Sequence, residues 1–334
     1  MKLTSIRNRL TNKICFIKYS EFKKINKIKI NKFQKAEIYS AMCRLNTLSM
    51  VKVAGSGHLG TSFSAMDIIV WIKHFFSKNK NKERKKNRNI FFSSKGHDAP
   101  ALYAVLYSLG YIKLEKLLNL RRLNGLDGHA DVSIPGVEAN TGSLGMGISK
   151  AKGILWSKKF MKLKGDVIVM TGDGELQEGQ IFEALQTSSH QNLNDLIVIV
   201  DHNKIQSSQY VKDVIDLRNL KNKFKSFGWY VKSCDGHSFK DIEKKLKSLK
   251  KNKLKPKILI ANTIKGKGVD FMEHTNVMKK QKLYNWHAGA PDDNSFFYAQ
   301  KKLLDKLNIL DKKKIIKLNY FNLKQKEFIS KDIH

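Results

Sequence analysis

At 334 residues the chain is long enough for one large α/β domain or two small ones, with ample material for a core. Its 63 Lys and Arg against 29 Asp and Glu give a net charge of +34. These basic residues are spread along the chain without a nucleic-acid-binding module, so they predict nonspecific attraction of polyanions and no specific nucleic-acid partner. Three scattered cysteines, no apolar run near the roughly 18 residues of a membrane span and no apolar leader core argue against a disulfide scaffold, a membrane protein and secretion; a cytoplasmic protein with reduced thiols is expected.

Residues 1–33 are basic, low in complexity and free of Gly and Pro, and read as a dispensable extension, with the globular part beginning near Phe33. From 36 to 53 the apolar positions Ile38, Met42, Leu45 and Leu48 recur at helical spacing. A glycine-rich turn then presents His58 ahead of a helix predicted over 64–76. After a charged loop at 78–89 comes a short strand, 90–94, running into Lys95-Gly96-His97. The next predicted helix, 98–109, has Asp98 placed to favour its positive end. A third loop carries Gly128-His129. One loop histidine usually does no more than cap a carbonyl. Three on glycine-flanked loops, all ahead of one acidic motif, point to a shared site.

Residues 135–147 form a glycine-rich loop with Gly142, Gly145 and Gly147, opening a helix predicted over 148–156. Free N–H groups at such a helix start suit an anion. A dinucleotide fingerprint is disfavoured, since the loop does not sit in a first βα turn with an acidic residue about 20 positions on. Two β-branched runs follow, 166–170 and 195–200, with a helical pattern at 178–190 between them. Both read as buried parallel strands, and ligands bind beyond the carboxyl ends of such strands. Asp173 and Asn203 therefore stand at two adjacent tips. A carboxylate and a carboxamide there are hard oxygen ligands for a small dication that keeps a diphosphate as co-ligand. Gly172 and Gly174 allow that diphosphate close to the backbone.

Beyond Asn203, a strand at 229–233, a helix at 241–249 and a last strand at 256–263 complete an α/β pattern. The tip at Lys265-Gly266-Lys267-Gly268 is either a phosphate nest or a basic turn. His237 and His274 read as structural. Residues 292–334 read as a helical, Lys-rich tail.

Taken in order, these motifs resemble transketolases. The matching segments are Ser56-Gly57-His58-Leu59-Gly60 with Leu for the usual Pro, Ser94-Lys95-Gly96-His97, and Gly128-His129-Ala130 with Ala for Pro. Thr141-Gly142-Ser143-Leu144-Gly145-Met146-Gly147 follows. Gly172-Asp173-Gly174 with the distant Asn203 is similar to the thiamine-diphosphate motif, and Lys265-Gly-Lys-Gly and His287 with Pro291 close the series. The resemblance implies a three-layer α/β fold over residues 34–291, a mostly parallel sheet with helices on both faces. It implies Mg²⁺ on the side chains of Asp173 and Asn203 and the main-chain carbonyl of Ile205, with Gly174 against the diphosphate. His97, Gly142, Ser143, Leu144 and His287 would contact the cofactor. His58, His97, His129 and His287 would ring the substrate as hydrogen-bonding and acid–base groups of near-neutral pKa, while Glu178 and Glu183 would join two cofactor sites across a subunit interface. The chain matches only the diphosphate-binding half of a transketolase. The resemblance therefore implies the N-terminal subunit of a split enzyme acting on sugar phosphates, in an assembly with two copies of each chain, its C-terminal partner subunit supplying the cofactor-activating glutamate. A deoxyxylulose-phosphate synthase fragment and a non-catalytic retained subunit are the alternatives; Ser94–Pro100 and Gly172–Gly179 favour transketolase.

Overall fold

Continuous β-branched runs persist as strands where both faces are covered, and this fold covers both. The computed structural model describes residues 13–77, 87–312 and 314–322. Its strands are β1 (Lys13–Phe16), β2 (Ile90–Ser93), β3 (Val167–Gly172), β4 (Leu196–His202), β5 (Ile205–Gln206), β6 (Gln209–Tyr210), β7 (Tyr230–Asp235), β8 (Lys257–Asn262) and β9 (Asn319–Asn322). The longer helices are α1 (Tyr19–Lys27), α2 (Lys32–Ala54), α3 (Leu59–Trp71), α4 (Ala99–Ser108), α5 (Gly147–Phe160), α6 (Gly179–His190), α7 (Leu220–Ser226), α8 (Phe239–Lys251) and α9 (Asp293–Leu310).

Five strands form a wholly parallel sheet in the order β2-β3-β4-β8-β7. Successive side chains of a strand face opposite sides, and the core divides accordingly. Ile168, Met170, Ile197, Ile199, Leu259 and Ala261 join one apolar cluster with α2, α3, α4, α8 and α9. Their neighbours Val167, Val169, Val198, Val200, Ile258 and Ile260 join a second cluster with α5, α6 and α7. This is the three-layer fold expected. The register pairs Gly172 with Asp201 and His202 with Asn262, so the ends of the three central strands emerge together on one edge.

Helix boundaries differ informatively from those predicted. α2 starts at Lys32 because the Asn31 side chain accepts the N–H groups of Phe33 and Gln34, and it ends at Gly55 in the left-handed region (φ 72°). α3 starts at Leu59, five residues earlier than predicted, so His58 directly precedes its first turn. Leu59 occupies the first helical position, where proline is also accommodated, and buries its side chain. Asp98 does not cap the α4 dipole. Its carboxylate turns inward to Ser93 Oγ (2.8 Å) and Lys95 Nζ (3.4 Å). Among the described residues no helix is long and apolar enough to cross a membrane.

The reading of residues 1–33 as a dispensable extension is corrected for residues 13–33; residues 1–12 lie outside the described ones. Ile14, Cys15, Phe16, Ile17, Phe22 and Ile25 are buried in the main core. β1 pairs antiparallel with β9, so the tail too departs from a purely helical reading, though 323–334 lies outside the described residues. On its other side, β1 has its backbone satisfied by side chains. Cys15 N–H donates to Gln300 Oε1 (2.8 Å), Ser49 Oγ donates to Cys15 O (2.7 Å), and Ile17 exchanges two hydrogen bonds with the Asn46 amide (2.7 and 3.0 Å). A buried backbone group without a partner is costly, and Asn46 and Gln300 on two different helices remove that cost. The sequence signal was the run of apolar residues from Ile14 to Ile17 in a segment otherwise dominated by lysine.

Replacing Asn46 with Leu strips both Ile17 groups of their partners inside the core. We expect a loss of about 2–4 kcal/mol, read as a lower urea midpoint at unchanged slope.

Candidate functional site

The edge where the strands end is organised by a carboxylate to which the sequence pattern assigns no role. Asp201, near the end of β4, is fully buried (0% exposed). It accepts hydrogen bonds from Ser64 Oγ (2.7 Å), Lys95 Nζ (2.5 Å), Asn203 Nδ2 (3.2 Å) and Thr263 Oγ1. Burial would raise its pKa, but the Lys95 ammonium and the hydroxyl donors hold it below the usual carboxylate value. Lys95, itself buried, stays charged because Asp201 and Asp98 outweigh its desolvation. Asp98, the more weakly served partner, is pushed by burial up to about 6, against the pull of Lys95. These bonds join α3, the segment after β2, β4 and the segment after β8.

Asp173 and Asn203 lie where the spacing placed them, buried beside this network. Asp173 Oδ1 accepts Gly174 N–H (2.9 Å), and Oδ2 accepts Lys204 N–H. Burial, then the nearby Asp201 charge, raises the Asp173 pKa, which a bound cation would reverse. Asn203 Oδ1 accepts Ile205 N–H (3.1 Å). Ile205 O accepts Lys265 Nζ (3.0 Å), as does Ser207 O (3.3 Å). Lys204 and Ser207 both hold left-handed backbone (φ 69° and 49°), the strained conformation that turns this loop back under Asp173. Gly174 is pressed against Gln206, whose Cγ lies 2.9 Å from where a Cβ would stand, and Gln206 Oε1 is buried without a partner.

The histidines also converge. The rings of His58, His97 and His287 form a triangle with centroid separations of 5.5, 5.2 and 5.8 Å. Gly60 makes this possible: its N–H donates to Trp286 O (3.0 Å) and its C=O accepts Gly266 N–H (2.9 Å), and a Cβ there would meet Trp286 O at 2.7 Å. His129 packs against Gly96, the residue before His97, its Cδ2 lying 2.6 Å from a Cβ built there. The expectation of near-neutral pKa values is corrected for His58, His97 and His287. Burial, then Arg121, lowers His58 to about 4. Burial, then Lys265, lowers His287 to about 3. Burial, then Lys95, puts His97 well below the ordinary value. In this state they are neutral imidazoles, able to donate or accept hydrogen bonds but reluctant to hold charge.

Gly142, Ser143 and Leu144 form an open loop facing His129, with Ser143 and Leu144 exposed. Glu175 ties that loop in: it accepts Gly145 N–H (2.9 Å), Gly172 N–H (3.0 Å) and the Ser94 hydroxyl. Glu178 stands at the start of α6, its Cβ 2.7 Å from a Cβ built on Gly145, and Glu183 is exposed further along the helix. Neither is brought into the histidine group. Lys265, read as a nest or a basic turn, is buried under the site, and desolvation lowers it to about 7. His237 and His274, read as structural, hold its loop: their ring nitrogens accept the N–H groups of Ile264 (2.8 Å) and Lys265 (3.1 Å).

Residues 35–285 match the family described as "Transketolase, thiamine diphosphate binding domain". The chain is 32% identical over 280 residues to an apulose-4-phosphate transketolase subunit of Phocaeicola vulgatus, covering 83% of this chain and 96% of that protein. It is 35% identical over 251 residues to a 6-deoxy-6-sulfo-D-fructose transketolase subunit of Clostridium sp., covering 74% and 91%. Human transketolase is 33% identical over 251 residues, which are 74% of this chain but 38% of the human one. Campylobacter jejuni transketolase superposes with a TM-score of 0.73 at 28% identity over 82% of this chain and 43% of that one. The chain thus spans less than half of those longer proteins and nearly all of the two bacterial subunits.

Replacing Lys95 with Met should cost about 3–5 kcal/mol at neutral pH, because Asp201 is left buried and charged. That deficit should shrink as pH falls and protonation relieves Asp201. A second consequence follows from His58. Between its folded value of about 4 and its ordinary 6.5, the unfolded chain binds a proton there that the folded chain does not. Stability should therefore be full above pH 6.5 and fall as pH drops towards 4, and the urea midpoint should fall less across that pH range for His58→Gln.

Proposed function

This chain belongs to the transketolase family through its thiamine diphosphate-binding domain, and from that premise we propose that it works as the N-terminal subunit of a split, Mg²⁺-dependent transketolase. The reaction is transfer of a two-carbon ketol unit from a ketose phosphate to an aldose phosphate. The observation that supports it is the convergence, on one sheet edge, of the Asp173–Asn203 oxygen pair with a triangle of neutral imidazoles.

The residues fit the cofactor. A carboxylate, a carboxamide oxygen and the Ile205 carbonyl are the hard donors that Mg²⁺ takes alongside phosphate oxygens. Among the described residues, no group of three or more His, Cys, Asp or Glu side chains forms an alternative metal cage. The partnerless Gln206 Oε1 beside Gly174 and the partnerless His287 Nδ1 are buried polar atoms of the kind a bound ligand satisfies. When bound, thiamine diphosphate supplies the nucleophilic carbon and the electron sink for the transferred unit.

The protein's part is placement and proton handling. Asp173, Asn203 and the Ile205 carbonyl would hold the cation, and Gly174 would admit the diphosphate to the backbone. Gly142, Ser143, Leu144, His97 and His287 would contact the cofactor. His58, His97, His129 and His287 bind the carbonyl and hydroxyl groups of the sugar, and the neutral imidazoles of His58, His97 and His287 exchange protons with them. Glu178, beside the glycine loop, and Glu183, exposed further along α6, reach a second subunit. A C-terminal partner chain supplies the rest of the cofactor pocket and most of the sugar-phosphate clamp, and two copies of each chain make a symmetric assembly. The free, buried Cys15, Cys43 and Cys234 support a cytoplasmic setting.

Ketol transfer from xylulose 5-phosphate to ribose 5-phosphate, with Mg²⁺ and thiamine diphosphate, tests this reading. Activity is expected only when the C-terminal subunit is added, and Asp173→Ala should abolish both activity and Mg²⁺-dependent cofactor binding. Pyruvate decarboxylation in place of ketol transfer would assign the chain to a deoxyxylulose-phosphate synthase. Cofactor binding without any turnover in the mixture would mark a retained, non-catalytic subunit.

A further inference from the structure

Arg121 belongs to none of the motifs in the sequence, yet after burial it is the Arg121 charge that most disfavours a proton on His58. Its backbone is held left-handed (φ 56°), a costly conformation for a side chain of this size, and Arg121 N–H donates to Leu126 O (2.7 Å) across a tight turn. That turn throws the guanidinium inward. Nη1 donates to Ser56 Oγ at 2.9 Å, and Nη2 lies 3.4 Å from His58 Nδ1. Gly128 leaves room for this course, since a Cβ there would stand 3.1 Å from Arg121 Nε. Nε itself is buried without a partner, and among the described residues no carboxylate makes an ion pair with Arg121.

A guanidinium can only donate hydrogen bonds and does not lose its proton in proteins. The nitrogen facing it must therefore be the unprotonated, accepting one. We infer that Arg121 is a positioning residue that locks His58 as the Nε2–H tautomer, so that His58 offers a hydrogen-bond donor to whatever oxygen lies in the cleft. The assignment of a donor to His58 rests on the sugar-binding role proposed above; the tautomer itself rests on geometry alone. The charged or titratable groups around His58 act in the same direction. Arg121, His129 and Lys265 all disfavour a second proton on it, and the neighbouring rings of His97 and His287 bring no negative charge. A histidine that is neutral and confined to one tautomer is ready to donate to a carbonyl or hydroxyl oxygen without reorganising.

The test is two-bond ¹H–¹⁵N spectroscopy of the full chain labelled at imidazole nitrogen, at neutral pH, with His58 assigned through His58→Gln. Wild type should show a pyridine-like Nδ1 and a pyrrole-like Nε2 in a single tautomer. Arg121→Leu should lose that pattern in favour of a mixture of tautomers, with the signals of His237 and His274 unmoved. Arg121→Lys, which retains a donor, should restore much of it, and Ser56→Ala should weaken it partially. A pyrrole-like Nδ1 or a tautomer mixture in wild type would overturn the inference, and so would an Arg121→Leu spectrum unchanged at His58. Titration of the same sample with Mg²⁺ and thiamine diphosphate reads the parent proposal separately. Absence of binding there would remove the sugar-facing role, while the wild-type spectrum would still decide the tautomer.

Discussion

A carboxylate with no access to water has to be neutralised and hydrogen-bonded, or the chain does not fold around it. Asp201 meets that demand by collecting donors from α3, from the segment after β2, from its own strand end and from the segment after β8. Each donor sits beside a residue of the candidate site. Ser64 belongs to the helix that His58 opens, Lys95 precedes His97, Asn203 follows on the strand, and Thr263 leads to Lys265. One buried charge thus sets the relative positions of four chain segments far apart in sequence. The imidazole triangle and the Asp173–Asn203 pair inherit their spacing from it.

A second arrangement of the same kind operates one layer out. Glu175 draws the glycine loop, the tip of β3 and the segment after β2 onto one carboxylate, and His237 and His274 pin the backbone that carries Lys265. His237 in turn rests on Asp67 (2.7 Å), which Arg44 clasps with two nitrogens inside the core. Loops that would otherwise be mobile at the end of an open sheet are therefore held by buried polar side chains. This rigidity suits a site whose reactive group is expected to come from a cofactor, because the protein's contribution is then the placement of that group and of its substrate.

Nearly all the polar work at the site is done by groups kept away from their ordinary ionisation. Burial lowers His58, His287 and Lys265 and raises Asp173, while the ion pair lowers Asp201. The net charge of +34 is carried mainly by lysines spread along the chain, and the interior is balanced around a few carboxylates. The surface charge is a solvated coat, and the interior charge is architecture.

Much of this was legible in one dimension. Local chemistry wrote the strands around Val167 and Leu196, the helix between them, and the glycine-flanked positions of Asp173 and the three loop histidines, because strand periodicity and strand-end placement act over short stretches. What the tertiary structure alone decided were the long-range pairings. Asp201 looks like one more residue of an apolar run, Arg121 like part of a basic turn, and Lys265 like a surface nest, since nothing local says which donors will be buried with which acceptor. The N-terminal segment misleads for the same reason: lysines dominate residues 1–33, while the partners of Cys15 and Ile17 are amides on Gln300 and Asn46, one of them 285 residues away. The near-neutral pKa values expected of His58, His97 and His287 fail likewise, because a pKa depends on burial and on neighbouring charge, and both are properties of the packed chain. The sequence by itself determined which chemistry stands at the strand ends. Only the fold determined how those groups are held and in which protonation state, because buried charges choose their partners in space and not along the chain.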